Sequence, residues 1–493
     1  MKHEKAPKSF ELSHLIVKEK ENVSDSEDIE VYGGYSVFIK NKEETLNEKR
    51  QWAVKIILLA LISSFSLGIY YFENIFHSGI YGAYMLINSL IPIIFIFIIE
   101  KYGIRFSPIY ITGTIFLGHC LCIVGIFLHM KYFTLLGLFI SNFCINPLVM
   151  LQEILIIEIF QQDKLGFLIS IILSIQKLIE FIFSFLKNNF DKNLIQNKIF
   201  FVTSLMLSLF SFFLSLIYNK AINKNKKVLY VFINKKGVFK NIETMSVYFW
   251  WYLLVCFSCS CIWNPFVSFL TKIKHTYFLE NIITADFSSR ILLLSFLLYP
   301  IIGWVNDHYG HRLIILMISL FMSLLSFMSL LLPIKSNIVF ITLFSLGQGV
   351  SSIILIILTL YISKNVLIAF GFYKTIEISG NTIMDSLVNI VLNLKKKRTL
   401  NNTDINLIVM LFTTLNMFSL VFLASFYRHD SLYNKRYINN CLFTLFNKKS
   451  KIIYQDIIFR SKEISLKLTK IFLGLIVTGL ILTWILYIIT ISQ

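Results

Sequence analysis

The chain has 493 residues, of which 56% are hydrophobic and only 15% are charged. A helix needs about 20 mostly apolar residues to cross a bilayer, and the chain contains many such runs. The formal net charge of +18 does not indicate nucleic-acid binding, because the lysines cluster in short loops between apolar runs, where positive charge sets orientation. The composition excludes a soluble protein of this size and predicts an all-α polytopic membrane protein.

The first 51 residues are polar, and we predict that residues 1–51 form a disordered cytosolic tail. They contain no apolar stretch of the kind found in a cleavable signal peptide. The segment ELSHLI at 11–16 resembles the acidic dileucine signals that send membrane proteins to endosomes and lysosomes. We therefore expect a multi-pass protein of a lysosomal or vacuolar membrane.

Twelve apolar runs follow in two sets of six. The first half covers 52–218 and the second covers 246–427, and between them lies a basic loop at 219–245 with seven lysines. The predicted runs lie at 52–75, 79–99, 107–129, 133–159, 166–187, 199–218, 246–270, 286–305, 313–333, 338–362, 366–393 and 405–427. If the tail is cytosolic, the basic loop is cytosolic too, as the positive-inside rule favours. The basic KKKR at 395–398 falls on the opposite side and does not fit this orientation.

The last segment, 428–493, begins with a basic stretch. It contains a further apolar run at 471–490. This run predicts either a thirteenth span or a C-terminal anchor that docks on a partner.

The loop between the eighth and ninth runs has the sequence GWVNDHYGHR at 303–312. Its pattern is Gly303, Asp307, Gly310 and Arg312. The glycines permit a close helix approach and a tight turn, and the Asp and Arg can form a charge-assisted latch at a helix end. This pattern resembles the signature loop of the major facilitator superfamily, which implies two six-helix halves and a latch that holds one side of a transporter shut.

The matching loop of the first half is IFIIEKYGIR at 96–105. Glu100, Gly103 and Arg105 keep the spacing of the signature, but Ile96 stands where the first Gly belongs. The repeat is therefore present in a degenerate form.

The step Lys-x-Ile-Glu occurs twice inside apolar runs, as KLIE at 177–180 and KTIE at 374–377. Residues three apart share one face of a helix, and charged side chains at membrane depth usually face a cavity and a partner. These steps lie in the fifth and eleventh runs, which are equivalent positions in the two halves. Since substrate sites in this architecture lie between the halves near midplane, we predict that Lys177, Glu180, Lys374 and Glu377 line that site. Local pairing within each step, without a role in binding, is the alternative.

Two longer stretches carry a closer resemblance. FWWYLLVCFSCSCIWNPF at 249–266 and AFGFYKTIEISG at 369–380 resemble the family of major facilitator superfamily domain-containing protein 1, a lysosomal dipeptide transporter. This resemblance implies that Lys177 receives the peptide carboxylate. It also places Asn146 where the family has a Glu for the amino group, although Glu153 lies two turns further along the helix. It further implies a glycosylated accessory subunit as a partner, and Asn401 begins a glycosylation acceptor pattern.

We therefore predict a secondary transporter, facilitative or proton-coupled, that moves small organic solutes such as dipeptides or amino acids by alternating access. The alternative is a scaffold or receptor that does not transport but retains the fold. We find no metal spacing, nucleophile motif or paired aspartates in the apolar runs, so we expect no enzyme activity, metal or cofactor. His119, Glu73 and Asp385 are further polar groups in these runs, and a lone buried His is more often structural than functional.

Overall fold

The computed structural model describes most of the apolar part of the chain. The described residues are 29–32, 35–38, 45–69, 81–104, 106–160, 164–190, 194–224, 247–272, 287–331, 337–362, 366–394, 402–433, 474, 478, 481 and 485. Several predictions lie outside them. These concern the sorting signal at 11–16, Glu73, Arg105, most of the basic loop at 219–245, KKKR at 395–398 and Asn401.

A short hairpin lies within the predicted tail. Strand β1 (Ile29–Tyr32) pairs with β2 (Tyr35–Phe38) in antiparallel register, with Tyr32 opposite Tyr35. Both strands are rich in β-branched and aromatic residues, and a Gly-Gly pair separates them in the sequence, as two-residue hairpin connections favour. The described residues of the predicted tail are therefore strand at 29–32 and 35–38 and helix at 45–51, and disorder of the rest of 1–51 stays a prediction.

Thirteen helices, between Thr45 and Tyr433, make up most of the rest of the described structure. The first half contains α1 (Thr45–Ser64), α2 (Tyr81–Tyr102), α3 (Ser107–Phe127), α4 (Lys131–Phe160), α5 (Leu165–Phe190) and α6 (Leu194–Lys224). The second half contains α7 (Val247–Ser260), α8 (Trp263–Lys272), α9 (Phe287–Tyr309), α10 (Arg312–Leu331), α11 (Asn337–Ile362), α12 (Val366–Leu394) and α13 (Asn402–Tyr433).

These helices account for the twelve predicted crossings. Ten segments are long and apolar enough to span a membrane, and one of them, Phe249–Leu270, joins α7 to α8. The other two crossings are α2, which contains the shorter apolar stretch Ser89–Ile99, and α12. Helix α12 has 29 residues, which is long enough to cross a bilayer, and it carries both Lys374 and Glu377.

The predicted extra helix is described only in part. Gly474, Thr478, Ile481 and Ile485 are helical and exposed, and the rest of 471–490 lies outside the described residues. Whether this run crosses a membrane stays a prediction.

Span seven is broken between α7 and α8. The break at Cys261 and Ile262 lies just before Pro265, the third residue of α8. Proline has no backbone N–H to donate to Cys261, and its ring clashes with the carbonyl four residues earlier, so a helix ends or kinks there. Trp263 and Asn264, just after the break, line a cavity together with the polar side chains of Gln348 and Glu377.

Among the described residues, the two most extensive helix contacts between the halves are α2 with α12 and α5 with α9. Each pair contains a glycine at its tightest point. A Cβ on Gly371 would lie 1.9 Å from Cδ1 of Ile96, and a Cβ on Gly303 would lie 2.6 Å from the carbonyl oxygen of Gly166. Without side chains at these positions, the helices can approach closely and pack well in a bilayer.

Both contacts lie toward the same end of the molecule. Helices α5 and α12 are the fifth and eleventh crossings, so they begin on the same side of the membrane. Gly166 is the second residue of α5 and Gly371 the sixth of α12. The two halves are therefore packed tightly against each other at the end that carries both signature loops.

The two signature loops share one backbone feature. Helix α2 ends at Tyr102 and α9 ends at Tyr309, and the next residues, Gly103 and Gly310, have φ values of +86° and +71°. The N–H of each glycine donates to a carbonyl four residues earlier, as in a helix C-cap with a left-handed residue. This match supports the assignment of 96–105 as a degenerate copy of 303–312.

We expect Gly303→Ala to destabilise the protein. A methyl group there would collide with the Gly166 backbone, and relieving such a contact typically costs about 1–3 kcal/mol. Thermal unfolding of the purified protein in detergent measures the effect.

Gly474→Ala is the matched control. Gly474 is helical, and among the described residues a Cβ there would meet nothing within 4 Å, so alanine should be neutral or stabilise by up to about 1 kcal/mol. Equal melting temperatures for Gly303→Ala and the wild type would contradict close α5–α9 packing.

Candidate functional site

Lys374 lies between two carboxylates. Its Nζ is 3.0 Å from Oε2 of Glu377 and 3.3 Å from Oε1 of Glu153. Glu377 is one turn away on α12, whereas Glu153 lies on α4 of the opposite half. The ion pair between Lys374 and Glu153 therefore connects the two halves, and we call these three residues the charge cluster.

The charge cluster is deeply enclosed. The side chains of Lys374 and Glu153 are only 8% and 2% exposed, and that of Glu377 is 28% exposed. Nearly every residue of α4 from Pro147 to Phe160 is buried, as expected of a helix surrounded by protein on all sides. Buried charges are costly unless they are paired, so these residues stabilise one another.

The cation of the cluster also contacts an aromatic ring. Nζ of Lys374 lies 5.3 Å from the centre of the Tyr373 ring, which is within cation–π range. Tyr373 stacks on Tyr252 of α7 at 6.5 Å, and the Tyr252 hydroxyl donates to the carbonyl of Leu355 on α11 at 2.6 Å. The aromatic residues of α7 thus help to fix the position of α12.

The other Lys-x-Ile-Glu step forms a more local pair. Nζ of Lys177 lies 2.7 Å from Oε2 of Glu180, and both side chains are 21% exposed. The neighbouring Gln176 donates to Gln152 at 3.0 Å, and Gln152 donates to the carbonyl of Ile62 at 2.6 Å. These hydrogen bonds of the glutamine side chains join α1, α4 and α5 next to the pair of Lys177 and Glu180.

Tyr299 of α9 lies near residues of both Lys-x-Ile-Glu steps. It interacts electrostatically with Lys177, Glu180 and Glu377, and its hydroxyl is 3.5 Å from that of Ser352. The structure therefore brings four of the five predicted binding residues to one region between the halves.

Asn146, the fifth predicted binding residue, lies on α4 and is partly buried. Glu153 is seven residues further on, which places it on the same helix face and about 10 Å along the axis. At the charge cluster, therefore, the acidic group of the fourth span is Glu153. The role of Asn146 stays a prediction.

Asp307 joins the halves in a way that the sequence did not reveal. Its carboxylate accepts hydrogen bonds from the backbone N–H groups of Gly166 at 3.2 Å and Phe167 at 2.8 Å. These groups belong to the first turn of α5, where unpaired N–H groups and the helix dipole favour an anion. The predicted partner, Arg312, is buried and interacts electrostatically with Asp307. Asp307 of the predicted latch therefore interacts both with Arg312 in its own half and with the first turn of α5 in the other half.

The remaining residues predicted from the sequence lie away from the charge cluster or outside the described part of the chain. The side chain of Glu100, like Arg105, is outside the described part of the chain. His119 is buried on α3, which packs on α4 and α6, and Asp385 lies two turns beyond Glu377 on α12.

A small cavity adjoins the charge cluster within the second half. Its volume of about 40 Å³ has room for only a few water molecules. It is lined by Cys256, Cys259, Ser260, Trp263, Asn264, Gln348, Ser351, Ser352, Leu355, Tyr373, Glu377 and Asn381. Only Glu377 of this set was predicted from the sequence as a binding residue, although Tyr373, Glu377 and Asn381 share the four-residue spacing of one helix face.

Comparison with known proteins identifies the fold. No protein-family model matches the chain, and no curated protein matches it in sequence. Among solved structures, the chain is similar to a variant of the E. coli fucose:proton symporter FucP, with 12% identity and a TM-score of 0.55, covering 76% of this chain and 98% of that one.

Two further solved structures are similar to the chain at the same TM-score. A structure of FucP in the outward conformation is 15% identical, with a TM-score of 0.55 over 75% of this chain and 99% of that one. The proton:xylose symporter XylE, bound to 6-bromo-6-deoxy-D-glucose, is 10% identical, with a TM-score of 0.55 over 77% and 96%.

The chain therefore has the fold of major facilitator superfamily transporters. The predicted fold class, an all-α membrane protein with two six-helix halves, is confirmed. The finer resemblance to a dipeptide transporter does not follow from this likeness and is taken up as a proposal.

We expect Lys374→Met to destabilise the protein strongly. Removal of the ammonium leaves Glu153 and Glu377 without their common cation, and breaking a buried pair in this way typically costs about 3–5 kcal/mol. The double variant Glu153→Gln with Lys374→Met should recover part of the loss in thermal unfolding. A double variant no more stable than Lys374→Met would argue against direct pairing of Lys374 with Glu153.

We expect Asp307→Asn to loosen the α5–α9 contact. The neutral amide accepts hydrogen bonds more weakly than the carboxylate, and a bond to a charged group contributes about 1.5–3 kcal/mol. A cysteine introduced at Ser170, which is buried at this contact, should then react faster with a water-soluble thiol reagent. Ser170→Cys with Asp307 intact is the control, and equal rates would show that Asp307 does not hold the contact closed.

Proposed function

We propose that this protein is a secondary transporter that moves small zwitterionic solutes, amino acids or dipeptides, across a membrane by alternating access. The observation that carries the proposal is the charge cluster, in which Lys374 of one half meets Glu153 of the other. Ionic groups at membrane depth are costly and mark substrate or ion pathways.

The site offers both signs of charge to a solute. Lys177 and Glu180 are partly exposed, so Lys177 can exchange its local partner for the carboxylate of a solute. Glu153 and Glu377 supply carboxylates for an amino group. Asn146 stands where the resembled family has a Glu, and Glu153, seven residues further on, supplies an acidic group on the fourth span at the charge cluster. This combination supports the resemblance to the dipeptide transporter family.

The two halves have contacts that alternating access must break and remake. The Asp307 bonds to α5 and the close approach of Gly371 to Ile96 hold one end closed. Rocking of the halves would separate these contacts and open a path to the charge cluster from that side. The carboxylates are compatible with either facilitative or proton-coupled transport, and an uptake assay at two pH values distinguishes the two.

Uptake into proteoliposomes tests the proposal. The panel contains L-alanine, L-alanyl-L-alanine, their N-acetyl forms, fucose and xylose, the last two because the similar solved structures include fucose and xylose symporters. We expect wild-type protein to take up alanine or the dipeptide, and Lys177→Ala to reduce that uptake by about tenfold or more, as loss of a charged hydrogen bond predicts.

The melting temperature of Lys177→Ala is the control for folding, because the change leaves Glu180 without its partner on the same helix. Loss of uptake counts as evidence for a binding role only where this melting temperature is close to that of the wild type. Uptake of no member of the panel by wild-type protein would contradict the transport proposal and favour the scaffold or receptor alternative.

A further inference from the structure

The cavity beside the charge cluster has polar groups that lack partners. Gln348 is only 1% exposed, yet its amide nitrogen has no hydrogen-bond partner among the described residues. The side-chain oxygen of Asn381 is also buried without one. Both residues line the cavity with Glu377. A buried polar group without a partner costs roughly 1–3 kcal/mol, so a ligand that satisfies these atoms is favoured there.

The charge of the cluster favours a cationic group at this place. Two carboxylates, Glu153 and Glu377, share the single ammonium of Lys374, so the cluster has one surplus negative charge when both carboxylates are ionised. Glu377 is the more exposed of the two carboxylates and the one that lines the cavity. An ammonium group of a solute would neutralise the surplus and could donate to both Glu377 and Asn381, which are one turn apart on α12.

The opposite wall supplies the complementary donor. Gln348 lies on α11, and a free amide N–H₂ donates to an oxygen of a carboxylate, carbonyl or hydroxyl group. Trp263 forms part of the same wall, and its ring is held by stacking on Phe344 at 5.1 Å. The wall therefore presents a fixed apolar surface beside the two unpaired amides.

We propose that the cavity between α7, α8, α11 and α12 is the subsite for the ammonium end of the solute, with Glu377 and Asn381 as acceptors and Gln348 as donor to a neighbouring oxygen. This proposal rests on the proposed function and specifies its substrate class as primary amines. It assigns the amino group to the second half, whereas the family resemblance places an acidic partner for it on the fourth span. The cavity is small in this conformation, so the halves or α12 must shift when the solute enters.

The test compares each amine with its N-acetyl form, which keeps the carboxylate and removes the positive charge. We expect proteoliposomes to take up alanine or the dipeptide at least about tenfold faster than the N-acetyl form. Glu377→Gln and Asn381→Leu should each remove most of this preference. Ser379→Ala is the matched control, because Ser379 is buried on the same helix and its hydroxyl bonds only to the carbonyl of Ile376 among the described contacts.

The outcomes separate the two proposals. Equal uptake of amines and N-acetyl forms, uptake of fucose or xylose alone, or an unchanged preference in Glu377→Gln would overturn the ammonium subsite but leave a transporter. Uptake of nothing in the panel by well-folded wild-type protein would remove the transport proposal and the subsite with it. Thermal unfolding and the elution profile of each variant establish whether the fold is retained.

Discussion

The ion pairs of Lys374 are the interaction on which the centre of the molecule depends. An ammonium group at membrane depth must be neutralised, and here its two carboxylates come from α4 and α12. These helices therefore have to meet with the correct register. Because Glu153 and Lys374 belong to different halves, the same pair that satisfies a buried charge also links the two bodies that a transporter moves.

The α5–α9 and α2–α12 contacts between the halves use different chemistry. Helices α5 and α9 are held by hydrogen bonds, from the first turn of α5 to Asp307 and from Ser174 to the carbonyl of Phe296. At Gly371, helices α2 and α12 instead meet through the apolar side chain of Ile96. Ile96 replaces the first Gly of the signature in the first half, so the degeneracy of that loop accompanies a contact in which the isoleucine packs against a glycine of the other half.

The amino-acid sequence by itself determined the fold class and the main landmarks. Hydrophobic runs of about 20 residues define crossings because a bilayer requires backbone groups to be bonded within each helix. The glycines at 103 and 310 could be matched because a left-handed turn favours that residue. Local pairing within each Lys-x-Ile-Glu step, the alternative to a binding role, could be foreseen because residues three apart share a helix face, and both pairs form.

The tertiary structure decided which of these groups meet. Spacing along one helix does not show that Glu153 reaches Lys374, or that Asp307 reaches the first turn of α5, because these contacts depend on how helices far apart in sequence pack. For the same reason Gln348 and Asn381 went unnoticed, since an amide in an apolar run gains significance only when its neighbours leave it without a partner. The equivalent lysines at 177 and 374 looked alike in the sequence, and the tertiary structure brings the second to a carboxylate of the other half.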